Sequence, residues 1–209
     1  MVESQIRTNK VTDPALVETF STVPRELFVP DRLSSLAYAD EDIEIAPRRY
    51  LMEPLVLARL LQTAGVTEDD MVLDIGCGTG YSTAVLSNLA NTVVAVESDP
   101  KLASHAGSLL SQLDMDNAVV MTGPLEEGYP SQAPYDVIVL GGGVAAIPEA
   151  ILEQLAEGGR LVAVLLEGEQ LLGKGTLMIG RNGNYSRREV FDAAVPPLPG
   201  FSGDQSFQF

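Results

Sequence analysis

The sequence predicts an α/β fold: a doubly wound, mostly parallel sheet with a helical N-terminal extension and an antiparallel C-terminal hairpin. Three observations predict it. Five short runs, "MVLDIG", "TVVAVE", "AVVMTG", "YDVIVLG" and "RLVAVLL", are β-branched and apolar without polar alternation, as strands covered on both faces must be. Helical stretches, "YSTAVLSNLA", "PKLASHAGSLLSQL" and "AIPEAILEQLAEGG", separate them, and parallel pairing needs such crossovers. The first strand also runs straight into a glycine-rich turn, "VLDIGCGTGY", at the sheet edge where such folds bind ligands.

The first fifty residues read as helix and turn. "TDPALVETFSTV" has a Thr/Asp start, Pro14 early, and Leu16, Phe20 and Val23 at helical spacing, the pattern of an amphipathic helix. Pro24 and Pro30 bracket "VPRELFVP" and limit any helix there to about two turns. "AYADEDIEIAP" is acidic and reads as irregular. "EPLVLARLLQTAG" is a further helix, with Pro54 in its first turn and Gly65 at its end, where each residue is favoured. Beyond the parallel strands, "GTLMIGRNGNYSRREVFDAAV" reads as an antiparallel pair around Asn182-Gly183, the dipeptide of tight hairpin turns. No linker divides the chain. We expect one domain over residues 1–209, with 1–53 as the helical extension and 54–209 as the ligand-binding core.

Composition narrows the class. Of 209 residues, 45% are hydrophobic, enough for one good core. Against 13 Lys and Arg stand 29 Asp and Glu, a net charge of −16. So acidic a surface repels nucleic acid and anionic membranes, and neither is expected as a partner. A single cysteine, Cys77, and a single histidine, His105, leave no internal disulfide and no zinc cluster, as in a reducing compartment. "MVESQIRTNK" lacks the apolar core of a secretion signal, and no apolar run reaches the ~18–20 residues of a membrane helix. We expect a cytoplasmic protein, a monomer by default because no apolar interface stripe stands out.

The glycine loop carries the chemistry. Gly76, Gly78 and Gly80 are spaced G-x-G-x-G, with Asp74 two residues ahead of the first. Glycines there let backbone approach a ligand closely. The next strand ends in Glu97, followed by Asp99, and a carboxylate at that strand end accepts hydrogen bonds from ribose hydroxyls. A dinucleotide loop usually reads G-x-G-x-x-G and holds a pyrophosphate. Here the third glycine comes one residue early, no Lys or Arg lies in the loop, and an acid enters it. That suits a ligand with positive charge and no phosphates, such as S-adenosylmethionine, ahead of a nicotinamide cofactor or an empty turn.

"VPRELFVP" with Ala37, Tyr38 and Asp40 downstream, "VLDIGCGTGY", and "APYDVIVLGGGVAAIPEAILEQLAEGGRLV" together resemble the protein-L-isoaspartate O-methyltransferases along nearly the whole chain. The glycine loop is shared by many methyltransferases; the N-terminal segment is the more specific part. The resemblance implies a Rossmann-like, S-adenosyl-L-methionine-dependent enzyme that methylates the side carboxylate of isoaspartyl residues in damaged peptides and proteins. It implies a cofactor site of Asp74, Gly76, Cys77, Gly78, Gly80 and Glu97, with Gly123 and Leu125 toward the adenine.

Some positions depart from the family. Its substrate segment reads Thr-Ile-Ser-Gln-Pro, with the serine hydroxyl orienting the carboxylate; here it reads Tyr50-Leu51-Met52-Glu53-Pro54. A thioether donates no hydrogen bond, and Glu53 repels an anionic acceptor. Arg48 and Arg49 come just before, and either can grip a carboxylate with two hydrogen bonds or simply neutralise Asp40, Glu41, Asp42, Glu44 or Glu53. Tyr50 can supply a hydroxyl. The family's Gly-Asp-Gly becomes Gly123-Pro124-Leu125. "GGGVAA" is neither a catalytic acid nor the Asn/Asp-Pro-Pro-Tyr signature of amino-group methylation. The acceptor-side candidates are therefore Arg49, Tyr50, Met52 and Glu53, and a different acceptor or a non-catalytic cofactor-binding protein are the alternatives. Cys77 reads as a small filler and His105 as a surface residue. Phe201, Phe207 and Phe209 form an aromatic tail expected to pack on the domain.

Overall fold

Alternate residues of the central strands serve two different cores. In the computed structural model, which describes residues 1–168 and 172–201, seven strands form one sheet in the order β5-β4-β3-β6-β7-β8-β9. They are β3 Met71–Ile75, β4 Thr92–Glu97, β5 Ala118–Thr122, β6 Tyr135–Val144, β7 Leu155–Leu166, β8 Leu172–Arg181 and β9 Asn184–Ala194. The first five pair in parallel; β8 and β9 are antiparallel. Val72, Val93, Val137 and Val162 face one core with helices α1 Pro14–Thr22, α2 Pro54–Ala64, α3 Tyr81–Ser87 and α4 Pro100–Gln112. Leu73, Val94, Ile138 and Leu161 face the other, which is closed by α5 Glu149–Leu152 and by Leu198 and Phe201. Period-2 side chains with both faces covered explain why these strands read as unbroken apolar runs.

Local signals set the element ends. Asp13 caps α1 through the Leu16 amide at 3.0 Å, and Gly65 ends α2 in the left-handed region. Asn182 and Gly183 have φ of 51° and 70°, as a tight hairpin turn requires. Strand order reverses between β3 and β6, and the carboxyl ends of these two strands open the crevice where such sheets take ligands.

Two expectations need correction. The extension is not only helix and turn: Ile43–Ala46 forms β1, antiparallel to β2 Arg49–Leu51. Its period-2 signal, Ile43-Glu44-Ile45, was hidden within an acidic run. "AIPEAILEQLAEGG" gives only four helical residues, and the chain is already in β7 at Leu155. Buried Gln154 is the cause. Its amide donates to Glu127 O at 2.8 Å and Ala150 O at 2.7 Å and accepts from Tyr129 N at 2.8 Å, tying the helix end to the loop after β5. Phe201 is buried against the domain as expected; Phe207 and Phe209 lie outside the described residues.

Candidate active site

The turn from β3 into α3 is held by two buried carboxylates. Glu97, at the end of β4 and fully buried, accepts the Gly78 N–H at 2.8 Å on Oε2. Its Oε1 accepts the Asp99 N–H at 3.0 Å and the Ser98 hydroxyl at 3.3 Å. Asp74, also fully buried, accepts from Ser82 Oγ and Thr83 Oγ1, both at 2.7 Å on Oδ2. Its Oδ1 is buried with no donor. Burial is the main reason the Asp74 carboxyl is pushed up to about 6; the Ser82 and Thr83 hydroxyls act against it and nearby Glu97 adds to it. An orphaned buried acceptor is costly, and an ammonium is the donor that satisfies it best.

Glycine is required where the strands approach each other. A Cβ on Gly141, at the end of β6, would lie 2.6 Å from the Gly76 carbonyl oxygen. Gly76 has φ of +81°, and a Cβ there would meet Leu198 Cδ1 at 2.6 Å. Cys77 is buried in the same turn, and burial pushes its thiol well above the ordinary value, which makes it a filler and not a thiolate. Gly123 and Leu125 follow β5, with Leu125 buried in the second core beside Leu198 and Phe201.

The hairpin β1–β2 and the residue after it bring Arg49, Tyr50 and Met52 to this edge, whereas Glu53 lines neither of its two small cavities. Arg49 is buried and pairs with Glu97 Oε2. That partner is neither an acceptor anion nor any of the acids Asp40, Glu41, Asp42, Glu44 and Glu53 that the sequence offered. Arg48 sits at the hairpin turn with φ of +60°, exposed, its amide 3.4 Å from Glu44 Oε1. Tyr50 and Met52 line a cavity of about 10 Å³ with Arg48, Arg49, Gly141, Gly142 and Leu198. They also line one of about 20 Å³ with Gly76, Cys77 and Ser82. Glu53 precedes α2, its amide donating to Asp42 Oδ1 at 2.9 Å. Burial first, then Asp42 and Asp40, push its carboxyl up to about 7.

Sequence reasoning missed two residues here. Arg25 is fully buried and donates to Met52 O at 2.6 Å and Ala37 O at 2.7 Å. Its guanidinium lies 4.5 Å from the Tyr81 ring centroid. It thus fixes Met52 against the core, and "VPRELFVP" was the available signal. Leu198 belongs to a segment after β9 that pairs with Gly143: Gly143 N donates to Pro196 O at 2.9 Å and Leu198 N to Gly143 O at 2.7 Å. This segment lays Leu198 over Gly76 and Gly142. No local sequence pattern announces it.

The acceptor set fits an adenosyl amino acid: a strand-end carboxylate for a ribose diol and an unpartnered carboxylate oxygen for an ammonium, beside a glycine-rich loop. A crevice of about 460 Å³ lined by Pro47, Arg48, Arg49, Ser98, Asp99, Pro100 and Pro199 opens beside Glu97, within the size range of small-molecule sites. Two small cavities border Gly141, one of about 10 Å³ beside Leu198 and one of about 20 Å³ beside Gly76, each with room for about one water.

The model of the protein-L-isoaspartate(D-aspartate) O-methyltransferase family matches residues 1–183. The chain belongs to that family. A relative from Protochlamydia amoebophila named protein-L-isoaspartate O-methyltransferase is 40% identical over 209 residues, 99% of this chain and 98% of its own. One of the same name from Koribacter versatilis is 36% identical over 203 residues, 97% of this chain and 90% of its own. A solved structure titled protein-L-isoaspartate O-methyltransferase superposes with a TM-score of 0.81 at 26% identity, covering 96% of this chain and 67% of that one. A Plasmodium falciparum structure titled "putative protein-L-isoaspartate O-methyltransferase", solved in complex with S-adenosyl-L-homocysteine, shares the fold with a TM-score of 0.80 at 18% identity. It covers 95% of this chain and 96% of its own. As a family member, this methyltransferase takes its methyl group from S-adenosyl-L-methionine. The family match ends at residue 183, so Arg49 and Glu97 lie within it and Leu198 beyond it.

Proposed function

We propose that this methyltransferase esterifies the side carboxylate of isoaspartyl residues in peptides and proteins. The observation that carries the reading is that the Tyr50–Met52 segment lines one cavity with Gly76 and Gly141, at the turn that buried Glu97 and Asp74 hold, in a chain of this family. When bound, the cofactor supplies an electrophilic methyl group on a sulfonium. Glu97 would accept the ribose hydroxyls and Asp74 Oδ1 the ammonium. Gly123 and Leu125 border the adenine end, with Gly76, Cys77, Gly78 and Gly80 forming the floor.

Little acid–base work is asked of the acceptor side. A carboxylic acid of this type titrates near ~4 and is ionised at neutral pH, so no general base is needed. What is needed is alignment and the exclusion of water. Met52 and Gly141 supply the dry wall, and Arg25 holds Met52 in place through its carbonyl. Donors for the acceptor oxygens come from Tyr50 and Arg49 in place of a serine. Glu53, adjacent and titrating near 7, supports a second reading with a neutral or cationic acceptor, for which a carboxylate is an asset.

The charge of −16 argues against a nucleic-acid partner, and from the single cysteine we further infer a cytoplasmic protein, a monomer by default; among the described residues no helix is long and apolar enough to cross a membrane. The deciding assay incubates the protein with methyl-labelled S-adenosylmethionine and two peptides, one isoaspartyl and one aspartyl. Alkali-labile label on the isoaspartyl peptide alone is the expected result. Alkali-stable label, or label on neither peptide from protein that binds the cofactor, sinks the reading.

A further inference from the structure

The pairing of Arg49 with Glu97 sets the arginine against the cofactor. A carboxylate offers about four lone-pair sites, and those of Glu97 already face the amides of Gly78 and Asp99, the Ser98 hydroxyl and Arg49. A ribose diol needs acceptor positions on the same group. The two amides belong to fixed turn backbone and the Ser98 hydroxyl can free a site on Oε1 alone, so Oε2 becomes available to a diol only when Arg49 leaves. Its hold is also incomplete: Nε is buried with no partner. Arg49 forms part of the wall of both neighbouring spaces. On one side is the 460 Å³ crevice with Ser98 and Asp99; on the other is the small cavity with Tyr50, Met52 and Gly142.

We propose that Arg49 is a latch shared by two ligands, paired with Glu97 until ribose takes that carboxylate and then turned to anchor the acceptor carboxylate. The acceptor half rests on the function proposed above. A guanidinium displaced from Glu97 in so buried a place needs another anion, and Met52 offers the acceptor no donor of its own. Methylation converts that anion into a neutral ester, with the acceptor oxygen bonding the methyl carbon as the carbon–sulfur bond breaks. Arg49 then has no partner but Glu97, and its return favours release of both products. Cofactor and acceptor thereby bind cooperatively through a single side chain, and the coupling is reciprocal.

The test is calorimetric titration with S-adenosylhomocysteine, whose neutral sulfur makes the result insensitive to simple loss of a positive charge. If the latch leaves about a tenth of the empty enzyme competent, Arg49→Gln tightens this binding about tenfold. In the wild type, an isoaspartyl peptide should bind more tightly with S-adenosylhomocysteine present than without it, and in R49Q that gain should vanish. Unchanged or weaker S-adenosylhomocysteine binding in an R49Q protein that melts like the wild type would make Arg49 structural and overturn the latch. Absence of coupling in the wild type overturns the proposal without any variant, which covers a failure of R49Q to fold. Tighter binding by R49Q, in a protein that methylates no isoaspartyl peptide, keeps the latch while removing both the anchor and the function proposed above.

Discussion

The carboxyl edge of the sheet and the hairpin and strap that close over it are built by different rules. At the edge, Glu97 and Asp74 are held by neighbours close in sequence or by adjacent strands: the Gly78 and Asp99 amides, and the Ser82 and Thr83 hydroxyls. These contacts are a by-product of forming β3, β4 and α3 at all. The closing parts instead depend on contacts reaching far in sequence: Arg25 to Met52, Arg49 to Glu97, and the backbone pairing with Gly143 that lays Leu198 onto Gly76. A surface held by backbone geometry can be preformed for a ligand. One held by a few long contacts can change places with it.

The contrast would be broken most forcefully at Glu97. Glu97→Ala leaves the Arg49 cation buried without an anion and the Gly78 amide without an acceptor. Breaking one partner of a buried pair costs ~3–5 kcal/mol, read by chemical denaturation, and S-adenosylhomocysteine binding should disappear with it. An E97A protein of wild-type stability would mean that Arg49 finds water and that the pair carries no structural weight. Leu198→Ala sharpens the comparison from the other side. Removing a buried leucine costs ~2–5 kcal/mol, yet here the deletion empties space over Gly76 and Gly142, beside the cofactor site proposed above. Stability should fall while S-adenosylhomocysteine affinity rises. A parallel fall in both would make Leu198 part of the binding floor and not its occupant.

The same division governs what could be read in advance. Five parallel strands, the hairpin at Asn182-Gly183 and the Asp74–Glu97 pair were legible because they follow from short-range pattern: strand length, period, glycine spacing. β1 was not, because the acids around Ile43 and Ile45 masked a two-residue alternation. The brevity of α5 was not, because Gln154 ends it through the Glu127 carbonyl, 27 residues away. The partner of Arg49 lies 48 residues away, beyond any local rule. With nearer acids at Asp40, Glu41, Asp42 and Glu44, charge counting pointed to the wrong ones.

A smaller effect at the edge depends on pH. The Asp74 carboxyl is raised from 3.8 to about 6, chiefly by burial. For an acid with a raised folded value, the native state binds more protons than the unfolded chain between those two values. Its contribution is therefore full below pH about 4 and is lost as pH rises through about 6. Relative to Asp74→Asn, the wild type should lose ~1–3 kcal/mol across that window, seen in melting curves taken at intervals of pH. Cofactor binding runs the opposite way, because an ammonium needs the ionised carboxylate, so S-adenosylhomocysteine affinity should weaken below pH about 6. A flat stability difference would show that Asp74 stays ionised throughout.

The smallest predicted effect separates the two neighbouring arginines. Arg48 holds a φ of +60° at the hairpin turn, and its hydrogen bond to Glu44 comes from the backbone amide. Left-handed backbone costs a non-glycine residue about 1 kcal/mol, whereas glycine loses a comparable amount through the freedom of its unfolded chain. Arg48→Gly should therefore leave stability within about 0.5 kcal/mol of the wild type. It should also leave S-adenosylhomocysteine affinity unchanged, because the Glu97 carboxylate is held by Arg49 alone of the pair. Loss of cofactor binding in R48G with intact folding would make Arg48, which lines the crevice beside Ser98 and Asp99, a working contact of the cofactor. The hairpin would then act on the cofactor through two cations, and a variant of Arg49 alone would understate its grip.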